Sequence, residues 1–210
     1  GRIDEKGKGP RNWESMPLPS LGNAAARETL LTSTPHMGAL WTGLFGGLLS
    51  GGRELRWLDD GLGVGKDARS AYSNLLGRFM ARRHLVEEAD CRVLLPLDLA
   101  KRRLEDTPYE IGKLNPGDKG DEADWIGLDA AGLVIAEAKG SHDGGQKPWS
   151  GGGQLPQCMR TAIGQARRTC IRRRGAAAPL PSRRWAVASR WGTEANGREP
   201  VLLAWDPEPE

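Results

Sequence analysis

Asp124-Trp125-Ile126-Gly127-Leu128-Asp129-Ala130-Ala131-Gly132-Leu133-Val134-Ile135-Ala136-Glu137-Ala138-Lys139 is the stretch on which the reading of this chain turns. Two short apolar runs flank Asp129-Ala130-Ala131-Gly132, a block with Asp and Gly where a tight turn favours them. The pattern predicts a β-hairpin. With Leu128 opposed to Leu133, antiparallel counting sets Asp124 across from Glu137, and cross-strand partners share a face with Cβ atoms roughly 4.5–5.5 Å apart. Alternation along the second strand puts Lys139 on the same face as Glu137. One face then holds two carboxylates and an amine.

Two like charges about 5 Å apart repel by on the order of 3 kcal/mol at an effective dielectric of about 20. A cation between them removes that cost. Mg²⁺ is the natural ion, since it binds through one or two carboxylates and keeps several waters for a phosphate to share, and Mn²⁺ would serve in its place. The plain alternative is a solvated hairpin end.

The flanks supply further elements. Residues 68–86 carry Ala68, Tyr72, Leu75, Leu76, Phe79, Met80 and Leu85 near helical spacing. Gly61, Gly63 and Gly65 mark a loop before them, but not a phosphate-binding loop: Asp60 stands at the required first Gly and Asp67 replaces the Ser or Thr. Residues 91–97 read as a strand until Pro96 removes a donor. Downstream, 157–172 reads as a helix with Met159, Ala162, Ile163, Ala166 and Cys170 as its apolar stripe, and Thr161, Gln165, Arg168 and Arg172 alongside. Residues 184–189 and 201–205 are strand candidates, separated by a loop containing Asn196-Gly197. The order is helix, strand, hairpin, helix, strand, strand, which predicts an α/β domain with a central sheet flanked by helices.

These residues in this order resemble the PD-(D/E)xK nuclease superfamily over 66–206, with Asp124, Glu137 and Lys139 at the signature positions. The resemblance implies a restriction-endonuclease-like core, order αβββαββ with a mixed sheet, that hydrolyses DNA phosphodiester bonds. It also implies roles. Asp124, Glu137 and the carbonyl of Ala138 would hold Mg²⁺ or Mn²⁺, and Lys139 would orient a water or offset charge on the phosphate. Ala162-Ile163-Gly164-Gln165 is similar to the superfamily's second-helix glutamine motif, so Gln165 would hold the metal-bound water or a phosphate. Otherwise Gln165 is an exposed helical residue, with Gln157 as the second choice.

Two departures stand out. Thr169 occupies a position where members often carry Tyr, and Arg78 stands where some carry a Glu on the first helix. A third acid must then come from elsewhere, or the site works with two. Glu87 and Glu88 are substitutes in sequence, although surface solvation also accounts for them. The competing functions are a catalytically inactive nucleic-acid-binding or assembly protein on the same fold, and a ribonuclease.

Charge distribution points to a polyanionic partner. The chain carries only +3 overall, yet residues 160–198 hold ten Arg against one acid, Glu194, whereas residues 106–143 hold nine acids against three Lys. Arg160, Arg167, Arg168, Arg172, Arg173 and Arg174 are the phosphate-contact candidates, with Arg183 and Arg184 next. Arginine forks match phosphate geometry, and such contacts give affinity without sequence choice. A solubilising face is the alternative for any single one.

A chain of 210 residues can bury one good-sized core plus an appendage. Residues 1–65 are expected to be a flexible Pro- and Gly-containing leader followed by an apolar, Gly-rich packing segment at 37–49, and 207–210 an acidic tail. The absence of an initiating Met suggests a fragment or processed chain, so a homodimer or a larger parent chain enters the expectation. The apolar run is shorter than a bilayer span, and no membrane association is expected. Cys91, Cys158 and Cys170 have no close pairing, which argues against a disulfide framework and for a reducing cytoplasm. Gly144-Gly145 and Gly151-Gly152-Gly153 could form a flap or a linker, Trp149 could stack on a base, and His142 follows Lys139 closely.

Overall fold

The computed structural model describes residues 2–3, 15–30, 34–50, 54–63, 65–141 and 155–206. In chain order the elements are β1 (Arg2–Ile3), α1 (Leu18–Leu30), α2 (Pro35–Leu48), β2 (Arg56–Trp57), α3 (Lys66–Glu87), β3 (Val93–Pro96), α4 (Leu97–Arg103) and β4 (Tyr109–Lys113). They continue with β5 (Trp125–Asp129), β6 (Gly132–Ser141), α5 (Gln157–Arg168), β7 (Thr169–Arg173), β8 (Arg183–Arg190), β9 (Gly192–Thr193) and β10 (Val201–Trp205). The main sheet has the order β1-β10-β8-β6-β5-β3, and β2 pairs with β9 and β4 with β7 in two small ribbons.

The hairpin of β5 and β6 has the register that counting predicts, with Leu128 opposite Leu133 and Trp125 opposite Ala136. Its turn is closed by the Asp129 side chain, whose Oδ1 accepts from the backbone N–H of Ala131 at 2.7 Å and of Gly132 at 3.0 Å. Gly132 sits at φ +135°, which a residue with a Cβ resists. Beyond the hairpin, β3 adds antiparallel to β5, while β8 runs parallel to β6 and places Ala186 beside Glu137 and Ala188 beside Lys139. The sheet is therefore mixed, and β6 lies inside it.

Helices cover both faces. Ala81 and Leu85 of α3 pack with Trp125, Ala136, Ala138, Trp185 and Val187, whereas Met159, Ala162 and Ile163 of α5 pack with Ala186, Ala188, Leu203 and Trp205. The α3 contact is backbone to backbone beside Lys139: a Cβ on Gly140 would lie 1.6 Å from the Ser73 carbonyl oxygen, and one on Gly77 would lie 2.5 Å from the Gly140 Cα. Outside α3 lies a third layer, α1 and α2, which buries Leu21, Ala25 and Phe45 against Phe79 and Met80. Pro17 and Pro19 fall at the start of α1, where a missing N–H costs least.

Four features depart from the sequence expectation. The helix expected over 157–172 ends at Arg168, and residues 169–173 form β7 against β4. Thr169 marks the break: its hydroxyl donates to the Gln165 carbonyl at 3.0 Å, and the chain then gains a full ladder with β4 that a continued helix would forgo. A second difference is α4, which follows Pro96 directly, the proline serving as a helix entry rather than only a strand stop. The third is β4, a stretch to which the sequence reading assigns no element, and it takes its partner from 56 to 64 residues further along the chain. Last, residues 18–30, expected within a flexible leader, form α1. Residues 142–154, which include His142, Trp149 and both glycine runs, lie outside the described residues, as do 4–14 and 207–210. Among the described residues no helix is long and apolar enough to cross a membrane.

Candidate active site

Asp124 sits immediately before β5, and its Oδ2 accepts from the Ala138 N–H at 2.9 Å. That bond straps the carboxylate to β6 between Glu137 and Lys139. The approach to it is held from three sides. Leu97 N–H donates to the Asp124 carbonyl at 2.9 Å, Ala123 N–H donates to the Thr169 hydroxyl at 2.7 Å, and Gln165 Nε2 donates to the Glu122 carbonyl at 3.2 Å. Gln165 is buried, so it is not the exposed helical residue of the alternative reading. Its amide N–H₂ serves the loop that presents Asp124, and Thr169 serves the same loop.

Glu137 is wholly buried, at 0% exposure. Lys139 Nζ lies 2.6 Å from its Oε1 as an ion pair, and the Asp124 backbone lies within hydrogen-bonding reach of the same carboxyl. Burial first, and the charge of Asp124 second, push its carboxyl up to about 8, with Lys139 offsetting only part. The three residues expected on one face are brought together: Asp124 and Lys139 both act on Glu137.

Two further groups enter from α1 and α3. Arg78 pairs with Asp124 through Nη1, and its Nε and Nη2 reach Glu28 Oε1 at 2.6 and 2.5 Å. Glu28 is also held by Arg82 Nε at 2.7 Å and by the Trp125 indole N–H at 3.1 Å. The Arg78 guanidinium lies over the Trp125 ring, 4.7 Å from its centroid. Burial pulls the Arg78 pKa down, but the charges of Asp124 and Glu28 outweigh it and the net shift is upward. Sequence reasoning missed Glu28 because nothing local in Ala24-Ala25-Ala26-Arg27-Glu28 signals partners 50 to 97 residues away. Glu87 and Glu88 instead pair with Arg83, each at 3.1 Å, at the outer end of α3.

Among the described residues no preformed group of three His, Cys, Asp or Glu side chains is set around a metal position. The donors nevertheless suit a hard cation. Asp124 and Glu137 offer carboxylate oxygens, those of Glu137 wholly buried, and such oxygens are the ligands Mg²⁺ and Mn²⁺ prefer.

The arginines divide. Arg160, Arg167 and Arg173 are exposed, with Arg160 and Arg167 two turns apart on α5. Arg167 stacks over Trp205 at 5.0 Å, and Arg160 Nε is bonded to Gln157 Oε1 at 3.2 Å. Arg174 is exposed as well, but its guanidinium caps the end of α4 through the carbonyls of Leu104, Glu105 and Thr107. Arg172 reaches the Lys113 carbonyl and the Cys170 sulfur, and Arg168 is half-buried beside Gly120. Arg183 pairs with Asp206 and Asp129, and Arg184 Nη1 bonds to the Ser182 carbonyl. No family model, curated protein or solved structure matches this chain.

Proposed function

We propose that this chain is a metal-dependent nuclease of PD-(D/E)xK type that hydrolyses DNA phosphodiester bonds. The observation that carries the reading is Glu137, a wholly buried carboxylate set against the charge of Asp124, beside Lys139 and one residue from the backbone that holds Asp124. Burying an ionisable group against a second carboxylate is costly, and such perturbed acids cluster at functional sites.

Asp124, Glu137 and the Ala138 carbonyl would hold Mg²⁺ or Mn²⁺. When bound, the ion would polarise the scissile phosphate and lower the pKa of a coordinated water. The chain's own residues do the rest. Lys139 keeps its side chain 29% exposed while touching Glu137, so its ammonium can face a phosphate oxygen and offset developing charge. Arg160, Arg167 and Arg173 draw in the sugar-phosphate backbone, and Gln165 and Thr169 position Asp124 through the loop they bind. Metal-dependent cleavage requires acids at the reacting centre and cations at its margin, and the charge distribution has that form.

The test is cleavage of plasmid, linear duplex, single-stranded DNA and RNA with Mg²⁺, Mn²⁺ or EDTA. The expected outcome is metal-dependent cutting of DNA, reduced at least about 100-fold in Glu137→Gln and Lys139→Ala with the far-UV spectrum intact. Undiminished cutting in both variants would overturn the assignment, and cutting of RNA alone would make the chain a ribonuclease. One observation favours a second reading, a non-catalytic nucleic-acid-binding or assembly protein: Arg78 already neutralises Asp124. DNA that is bound but never cut would support it.

A further inference from the structure

We infer that Glu28 of α1 is a constituent of the cation site and that Arg78 is the protein's own cation there, displaced when a divalent ion binds. The inference rests on the metal-site reading above. It starts from a charge balance. Three carboxylates, Glu28, Asp124 and Glu137, face three side-chain cations, Arg78, Arg82 and Lys139, through the ion pairs that Arg78 makes to Glu28 and Asp124, Arg82 to Glu28, and Lys139 to Glu137. A divalent ion entering that balanced cluster gains little Coulomb energy while a guanidinium occupies the Asp124 oxygen. Removing one cation makes the cluster an anionic seat.

Arg78 is the cation best placed to leave. Arg82 is 5% exposed, bonded to Glu28 at 2.7 Å and to the Leu94 carbonyl through both terminal nitrogens at 3.3 Å, so it is anchored. Arg78 is 27% exposed, and its attachments are the two carboxylates and the face of Trp125. Its departure leaves Glu28 Oε2 fixed by Arg82 and Trp125 and frees Oε1, which accepts from Arg78. A carboxylate oxygen on a pinned side chain, on the far side of the guanidinium from Asp124, is a hard donor added next to the freed Asp124 oxygen. The acid absent from α3 is supplied by α1, which makes the outer helical layer part of the site.

The experiment is calorimetric titration of Mn²⁺ into the wild-type chain, Arg78→Gln, Arg78→Lys and the double variant Arg78→Gln/Glu28→Gln, without nucleic acid or turnover, each checked by far-UV spectrum. Arg78→Gln is expected to bind Mn²⁺ at least about tenfold more tightly than wild type, a size seen when groups bordering a metal site are changed. The double variant loses that gain, and Arg78→Lys, which retains the charge and guards against a fold-specific effect of glutamine, stays near the wild-type affinity. Equal affinity in wild type and Arg78→Gln overturns the inference while leaving the metal site standing. A gain that survives in the double variant removes Glu28 from the site. No Mn²⁺ binding to any folded variant overturns the metal-site reading and this inference with it.

Discussion

Glu28 on α1 and Glu137 on β6 are two buried carboxylates on either side of the same cluster, and the protein treats them in opposite ways. Glu28 receives Arg78, Arg82 and the Trp125 indole N–H. Glu137, at least as buried, is paired with the single amine of Lys139 and set against the charge of Asp124. A saturated buried carboxylate fixes the packing around it, because any change in its partners strands a charge. An unsaturated one is held short of its capacity and has room for a ligand. The contrast separates the residue that builds the site from the residue that waits for something in it.

The comparison breaks first, and most visibly, at Glu28. Glu28→Ala strands the buried Arg82 and removes the tie between α1 and the sheet, so urea unfolding should show a loss of about 3–5 kcal/mol. A loss under about 1 kcal/mol would mean that the three contacts do not hold the helical layer. The opposite sign is expected at Glu137. Its carboxyl is raised to about 8, above the ordinary range, so the folded state holds the proton more tightly than the unfolded chain does. Stability therefore declines as pH rises from the unfolded pKa, about 4.3, through about 8. In EDTA, Glu137→Gln should be more stable than wild type by about 1–3 kcal/mol near pH 8.5, with the gain vanishing toward pH 4. A destabilised Glu137→Gln at pH 8.5 would put Glu137 in the same structural class as Glu28.

The smallest effect concerns the exposed arginines, which touch neither carboxylate. Arg160→Ala with Arg167→Ala should lower the slope of log affinity for DNA against log salt by about 2, while Arg174→Ala, whose guanidinium caps α4, should leave it unchanged. Equal slopes for all three would mean that α5 does not face the nucleic acid.

What could be read from the sequence follows the range of the interactions. The β5–β6 hairpin, its register and the gathering of Asp124, Glu137 and Lys139 were legible because turn chemistry and strand alternation act over a dozen residues. The helices α3 and α5 were legible from their apolar stripes. The end of α5 was not, since Cys170 and Arg172 continue the helical period and only the pairing of β7 with β4 overrides it. The arginine run carried no sign of which side chains are engaged within the fold: a guanidinium bonded to the end of a helix, as that of Arg174 is, looks in sequence like one without such contacts. Glu28 was out of reach. Its partners Arg78, Arg82 and Trp125 lie 50, 54 and 97 residues away, and only the packing of α1 on α3 brings them within bonding distance.

The most direct measurement of the central claim is anomalous diffraction from crystals of the chain soaked in Mn²⁺. The account predicts one strong peak within about 2.0–2.3 Å of a carboxylate oxygen of both Asp124 and Glu137, with Arg78 withdrawn from Asp124. Ordered side chains in their present pairing and no peak at these carboxylates would contradict it.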